Sequence, residues 1–200
     1  EEFDFLHFHL DYYPFSLFSR QPTPFLTTLH GRLDLPEHQP VFTTFSSIPV
    51  ISISNSQRRP VPQANWVRTI HHGLPEKLLM PQPIKPGYLA VLGRIAPEKN
   101  VDFLADALAI VAERRPGVRI LFVGDGPSRE ELEAKLGGVA SFAGYQVGDA
   151  LADHYAAGDL FAFSSTTETF GNVVQEAMAS GMPVVALRAG WTATSADSNV

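Results

Sequence analysis

From residue 88 onward, short apolar runs alternate with longer amphipathic stretches, and this alternation restricts the possible folds more than any other feature of the chain. Residues 88–92, 118–123, 139–142, 160–163 and 183–186 read as strands. Residues 101–115, 130–136, 149–157 and 172–179 read as the helices between them. In the first of these helices, Val101, Leu104, Leu108 and Val111 are spaced for one buried face, and Pro116-Gly117 ends it. Ser128 followed by Glu131 predicts a capping box on the second helix. Strands that alternate with helices imply βαβ units and a parallel sheet, hence an α/β fold. Such a sheet binds ligands beyond the carboxyl ends of its strands, so the loops there are the place to look for chemistry.

The chain before this region has a different texture. Twelve of the 16 prolines and six of the seven histidines lie at or before residue 86. Short apolar runs at 3–9, 24–30, 50–54 and 66–71 read as strands, with short helices near 15–19 and 41–45. The knot Met80-Pro-Gln-Pro-Ile-Lys-Pro-Gly87 can continue neither a helix nor a central strand. The expected organisation is therefore a first domain over 1–79, a linker over 80–87 and a second domain over 88–200. Both ends read as truncations: the chain enters a strand-like stretch at once, and the Ser/Thr/Ala-rich residues 191–200 carry no periodic apolar pattern.

Composition narrows the partners. A net charge of −6 without a basic run argues against nucleic acid, which needs a Lys/Arg surface to neutralise phosphates. No cysteine is present, so disulfides, thiolate metal sites and cysteine nucleophiles are excluded. No apolar stretch approaches the roughly 20 residues that span a bilayer.

Three strand-end loops carry candidate chemistry. The first reads Gly93-Arg94-Ile-Ala-Pro-Glu-Lys99-Asn100, in which two cations precede a helix start and can hold a diphosphate. Equally, it reads as a solvated loop in which Pro97 marks a helix start and Asn100 caps it. The second, Gly124-Asp-Gly-Pro127, allows close backbone approach but also reads as a plain tight turn. In the third, Glu168-Thr-Phe-Gly-Asn-Val-Val-Gln-Glu176, Gly171 precedes a helix whose first amides, at Asn172 and Val173, face an anion site. Glu168 lies in the loop and Glu176 inside the helix, so the two carboxylates reach different parts of one extended ligand. Read blandly, both acids only complement the helix dipole. Among the histidines, His7 and His9 share a strand face, and a zinc site with His30, His71 and His72 comes to mind. No cysteine or carboxylate accompanies them at ligand spacing, and adjacent His71 and His72 on a strand would point apart. Strand-end histidines with hydrogen-bond partners, and no metal, are expected.

Taken together, Gly-Arg-x-x-Pro-Glu-Lys-Asn, Val-Gly-Asp-Gly-Pro and Glu-x-Phe-Gly-Asn-x-x-x-Glu-Ala-Met-Ala-x-Gly-x-Pro-Val-Val-Ala resemble, in this order, the family 4 glycosyltransferases of the GT-B fold. The match runs over about residues 87–190. The resemblance implies two Rossmann-like parallel-sheet domains, here both incomplete. It implies that Arg94 and Lys99 bind the donor diphosphate, Glu168 the donor sugar hydroxyls and Glu176 the nucleotide ribose. Gly93 and Gly124 then line the donor site, backbone amides over Phe170, Gly171, Asn172 and Val173 hold sugar and phosphate, and Tyr145 and Gln146 border the nucleobase. The earlier segments Phe5-Leu-His7-Phe-His9, Thr28-Leu-His30-Gly31, Ser54-Asn-Ser56-Gln57-Arg58 and Ile70-His-His72-Gly73-Leu-Pro75 resemble parts of the acceptor-side domain, which matches His9 by position to a histidine near the donor sugar.

The implied activity is retaining transfer of a hexose from a UDP- or GDP-linked donor to the hydroxyl of an acceptor sugar, lipid or small molecule. Neither a cofactor nor a metal is implied, and Glu168 is not assigned as a nucleophile. A cytoplasmic location follows, with contact at the inner membrane face for a lipid acceptor. Missing family segments at both ends predict little or no turnover by these 200 residues alone. A nucleotide-sugar epimerase or phosphorylase of the same fold, and a non-catalytic fragment, are the alternatives.

Overall fold

The computed structural model describes residues 3–75, 80 and 87–188. Contacts divide these into two compact units, one running to Gly73 and including Glu168–Phe170, the other holding Leu74–Thr167 and the residues from Gly171 on. Most of the expected linker, and the terminal stretch 191–200, lie outside the described residues.

The first unit is a four-stranded parallel sheet in the order β1-β2-β3-β4, formed by Leu6–Phe8, Phe25–Thr28, Pro49–Ser52 and Asn65–Thr69. Three short helices lie between the strands: α1 Tyr13–Phe18, α2 His38–Thr44 and α3 Asn55–Arg58. Phe15 and Phe42 from the first two pack edge to face, 5.9 Å between centroids, over Leu29 and Val50 of the sheet side. The strands are shorter than their apolar runs suggest. At β1, for example, only three residues pair with β2, and Phe3 and Phe5 remain exposed.

The second unit is a five-stranded parallel sheet in the order β7-β6-β5-β8-β9. Its strands are β5 Leu89–Leu92, β6 Ile120–Val123, β7 Ala140–Phe142, β8 Leu160–Phe163 and β9 Val184–Ala186. Helices α4 Val101–Arg114, α5 Arg129–Leu136, α6 Gly148–Ala157 and α7 Asn172–Ala179 make the crossovers. Side chains alternate between faces along β5, as a period of two requires. Leu89 packs with Val101, Leu104 and Leu108 of α4 and Leu132 of α5, whereas Ala90 and Leu92 pack with Tyr155 of α6 and Val174 and Ala177 of α7. Both faces are therefore covered, which explains why the strands read as continuous apolar runs. Phe122 and Phe161 are fully buried, one in each layer.

Two local expectations fail. The capping box at α5 does not form: Ser128 makes no side-chain cap bond, because its backbone sits at ψ 5° rather than in the extended region that aims a hydroxyl at the helix. Its amide donates instead to the Ile95 carbonyl at 3.1 Å. Asn100 does precede α4, but in the left-handed region at φ 55° and without a side-chain cap bond, while Pro97 opens a separate 3-10 turn, Pro97–Lys99. No helix among the described residues is long and apolar enough to cross a membrane.

Candidate functional site

The strand order of the second unit defines a switch point. From β5 the chain steps to β6 and β7 on one side, then returns to place β8 and β9 on the other. The loops after β5 and β8 thus leave adjacent parallel strands in opposite directions, opening the crevice where such sheets take ligands. These are the Gly93–Asn100 and Ser164–Gly171 segments singled out from the sequence.

The two loops are tied together. Ser164 Oγ donates to the Lys99 carbonyl at 2.7 Å, and Thr167 Oγ1 donates to the Glu98 carbonyl at 3.3 Å. Gly93 lies against the start of α7: a Cβ placed on it would sit 3.9 Å from Val173 Cγ1. Gly124, after β6, must be glycine, since a Cβ there would overlap the Gly93 carbonyl oxygen. Its amide donates to the Gly144 carbonyl at 2.8 Å, which joins the loop after β7 to the same rim. In that loop Gln146 turns its amide back to the Ala143 carbonyl at 2.8 Å, while Tyr145 is exposed. Four strand-end loops thus form one connected, backbone-rich edge.

Helix α7 starts at this edge. Gly171, at φ 80° and ψ 46°, supplies the left-handed turn that aims the helix, and no side chain caps it. The positive end of the helix dipole therefore lies beside Gly93, and an anion there would be stabilised by the first-turn amides around Asn172 and Val173. Asn172 is exposed and Val173 half-buried.

Charged groups stand on the same two segments, the loop after β5 and helix α7. Arg94 is exposed and pairs with Glu98, 3.3 Å from Nη1 to Oε1. Such an exposed pair contributes about 0–1 kcal/mol and is readily exchanged for a better anion. Lys99, half-buried, ends the 3-10 turn whose carbonyls the second loop grips. Glu176, one turn into α7, receives the hydroxyl of Tyr155 on Oε2 at 2.7 Å. Tyr155 is 1% exposed. Burial, and then its bond to the carboxylate, pushes its phenol well above the ordinary tyrosine range. Neither Tyr155 nor Ser164 was marked by the sequence reading. The signal for Tyr155 was present, since a tyrosine on the apolar face of α6 must find a partner for its hydroxyl.

Glu168 and Phe170 group with the first unit rather than with Arg94, Lys99 and Glu176. Within that unit Thr169 Oγ1 donates to the His30 carbonyl at 3.2 Å, and the Thr169 carbonyl accepts from Ser54 Oγ. His9 stands just past β1 and joins His30, with 2.8 Å between His9 Nδ1 and His30 Nε2. His71 and His72 do not point apart on a strand. Strand β4 ends at Thr69, and both rings lie against Phe170, at 5.4 and 5.2 Å between centroids. Among the described residues no group of His, Asp or Glu is arranged to hold a metal ion.

Two parallel sheets of this topology, with backbone-rich strand-end loops, define the GT-B class of fold. The chain has this fold in common with Anabaena HepE in complex with UDP and glucose, at TM-score 0.76 and 24% identity over 96% of this chain and 61% of that one. Sucrose-phosphate synthase of Thermosynechococcus elongatus matches with TM-score 0.76 and 22% identity, over 94% of this chain and 57% of that one. Residues 86–199 match the family model described as glycosyl transferases group 1, and the chain belongs to that family. Among curated relatives, the sulfoquinovosyl transferase of Arabidopsis thaliana is 47% identical over 110 residues, 54% of this chain and 21% of the relative. The GDP-mannose-dependent alpha-mannosyltransferase of Mycobacterium tuberculosis is 46% identical over 99 residues, 50% of this chain and 25% of the relative. The chain thus spans a fifth to a quarter of the length of these relatives.

Proposed function

We propose that this chain carries the donor-binding machinery of a retaining, family 4 glycosyltransferase that moves a hexose from a nucleoside-diphosphate sugar to an acceptor hydroxyl. The observation that supports the reading is the pinned pair of switch-point loops, in which the carbonyls of Glu98 and Lys99 accept from Thr167 and Ser164 while Gly93 lies against Val173 at the start of α7. That arrangement suits a diphosphate: two cations and a helix start stabilise the charge that grows on a leaving phosphate, without a divalent ion. Glu176, oriented by Tyr155, suits the diol of a ribose. Phe170, Gly171 and their neighbours would hold sugar and phosphate through the backbone, Tyr145 and Gln146 would border the base, and Glu168 and His9 would serve the transferred sugar. Glu168 is not assigned as a nucleophile and no residue is assigned as a general base, in keeping with same-face transfer in which the leaving phosphate takes the acceptor proton. The relatives named for sulfoquinovosyl and mannosyl transfer support a hexose donor, and HepE, seen with UDP and glucose, supports a nucleotide sugar. A cytoplasmic setting, where such donors are made, belongs to the same proposal.

Calorimetry with UDP and GDP tests this on the chain itself and on Lys99→Ala and Glu176→Ala. One nucleotide should bind, and each variant should bind it at least about tenfold more weakly, the loss of about 1.4 kcal/mol expected for one charge-assisted contact. Nucleotide binding that is unchanged in both variants would rule out the site.

A further inference from the structure

The second unit has another concave edge, opposite the one that holds the switch-point loops. A cleft of about 620 Å³ runs across the amino ends of three neighbouring strands, where Tyr88 precedes β5, Arg119 precedes β6 and Ala140 opens β7. That volume falls within the range of about 300–1,000 Å³ usual for small-molecule sites. Strands β5 and β6 are four residues long, so about 13 Å of sheet separates the cleft from Gly93 and Gly124.

The lining mixes donors, an acceptor and an apolar wall. Arg119 is exposed, and among the described residues its hydrogen bond is the one from Nε to the Gly87 carbonyl at 3.0 Å, which leaves the Nη edge of the guanidinium to a ligand. Ser141 is exposed too, and its hydroxyl makes no bond among the described residues. Helix α4 adds an acceptor at its end. The Ala112 carbonyl would receive the amide four residues on, but that residue is Pro116, which has no N–H. Leu121 and Val139 form the apolar wall, Val139 being exposed. Tyr88 is half-buried and its hydroxyl donates to the His154 carbonyl at 2.8 Å, so what it adds to the cleft is its ring.

Charge then selects the class of ligand. A Cβ on Gly87 would stand 3.5 Å from Arg119 Nη2 and 2.8 Å from Asp159 Oδ2, so a guanidinium and a carboxylate flank that one position. Burial raises the Tyr88 phenol above its ordinary value, Arg119 works against that rise and Asp159 adds to it. The ring therefore stays neutral, and the two charges offset each other beside it. An anion in the cleft would meet Asp159 and the negative end of α4, whereas a cation would meet Arg119. A neutral ligand that carries both donors and acceptors meets neither penalty.

We propose that this cleft is a second carbohydrate site, which takes a neutral pyranose. The sugar hydroxyls accept from Arg119 and Ser141 and donate to the Ala112 carbonyl, while the C–H face of the ring packs on Tyr88. A pyranose is a neutral solute that joins closely spaced hydroxyls to an apolar ring face, which is the combination this lining offers. The site holds its sugar on the edge away from the switch-point loops, and its assignment does not rest on the transferase reading.

The test is a titration with methyl α-glucopyranoside, followed by amide NMR, of the parent chain, of Arg119→Met and of Ser141→Trp, whose indole fills the cleft from an exposed strand position. In the parent, the amides of Gly117, Gly138 and Ser141, all at the cleft, should move together along one saturating curve. Arg119→Met should weaken that curve at least about fivefold, and Ser141→Trp should abolish it, with the rest of the backbone spectrum unchanged in both. No movement of these amides up to roughly 0.1 M sugar, a hundredfold above millimolar binding, would overturn the proposal. So would a curve that both variants leave unchanged, or shifts confined to the switch-point loops. Glucuronate and glucosamine test the charge argument: each should bind more weakly than the neutral glycoside, and tighter binding of either would overturn the choice of ligand. Nucleotide calorimetry reads the donor edge alone, so a failure there leaves the outcome of this titration standing on its own.

Discussion

Replacing Tyr155 with phenylalanine removes one oxygen atom and should be felt in two measurements. Tyr155 fills a fully buried position between α6 and the sheet, and its hydroxyl is bonded to Glu176 Oε2 at 2.7 Å. Phenylalanine keeps the packing, so the change isolates the bond. Bonds to charged groups contribute about 1.5–3 kcal/mol, and Glu176 is half-buried, so its freed oxygen regains some water. The low end applies: a loss of about 1.5 kcal/mol, read from urea unfolding as a lower midpoint at constant slope. The second effect is on ligand affinity. Without Tyr155 the Glu176 side chain regains rotamer freedom, up to about 2 kcal/mol of which must be spent again on binding. UDP affinity should fall by roughly three- to tenfold. The two readouts also connect through pH. Burial, together with the carboxylate, raises the Tyr155 phenol above its unfolded value of about 10. Above that pH the unfolded chain binds fewer protons than the folded one, so this contribution is complete below pH 10 and lost as pH rises past it. Tyr155→Phe should therefore flatten the alkaline fall in stability. A variant that unfolds at the parent's midpoint and binds UDP with the parent's affinity would refute the claim that Tyr155 orients Glu176.

Three other changes probe the remaining contacts. Glu98→Gln releases Arg94 from its exposed pair and should tighten UDP binding about two- to fivefold at low salt, an advantage that fades by 0.5 M salt in calorimetry. Gly124→Ala forces a Cβ into the Gly93 carbonyl at a backbone φ of 140°, so thermal unfolding should reveal at least about 2 kcal/mol of destabilisation and UDP binding should be lost with it. Gln57→Leu leaves the carbonyls of Leu29 and Gly31 and the amide of Ile53 without the Gln57 side chain, which should cost about 2–4 kcal/mol in urea unfolding.

What the sequence revealed, and what it hid, follows from the range of the interactions involved. The α/β alternation after residue 88 was legible because each strand is buried on both faces and each helix on one, so burial is written as period and run length. Strand 160–163 and helix 172–179 fall on their expected bounds for this reason. The first unit was harder: β1 pairs over three residues only, and its apolar run continues into exposed Phe3 and Phe5, so composition overstated the strand. The caps failed because capping depends on a backbone angle, and at Ser128 that angle is set by the distant Ile95 carbonyl.

The same reasoning separates the candidate site into two parts. The placing of Gly93, Arg94, Lys99 and Gly171 at strand ends needed only local signals and the rule that ligands meet the carboxyl ends of parallel strands. The groups that give those residues their orientation come from far away in the chain. Ser164 holds Lys99 across 65 residues, Tyr155 holds Glu176 across 21, and His72 meets His30 across 42. None of these pairings has a period or a composition, because each is a single polar group finding the one partner that a packed sheet edge offers it. Their positions could be narrowed in advance only by asking which buried or half-buried polar atoms still needed a partner. That question leads to Tyr155 on the apolar face of α6, whose hydroxyl finds the Glu176 carboxylate.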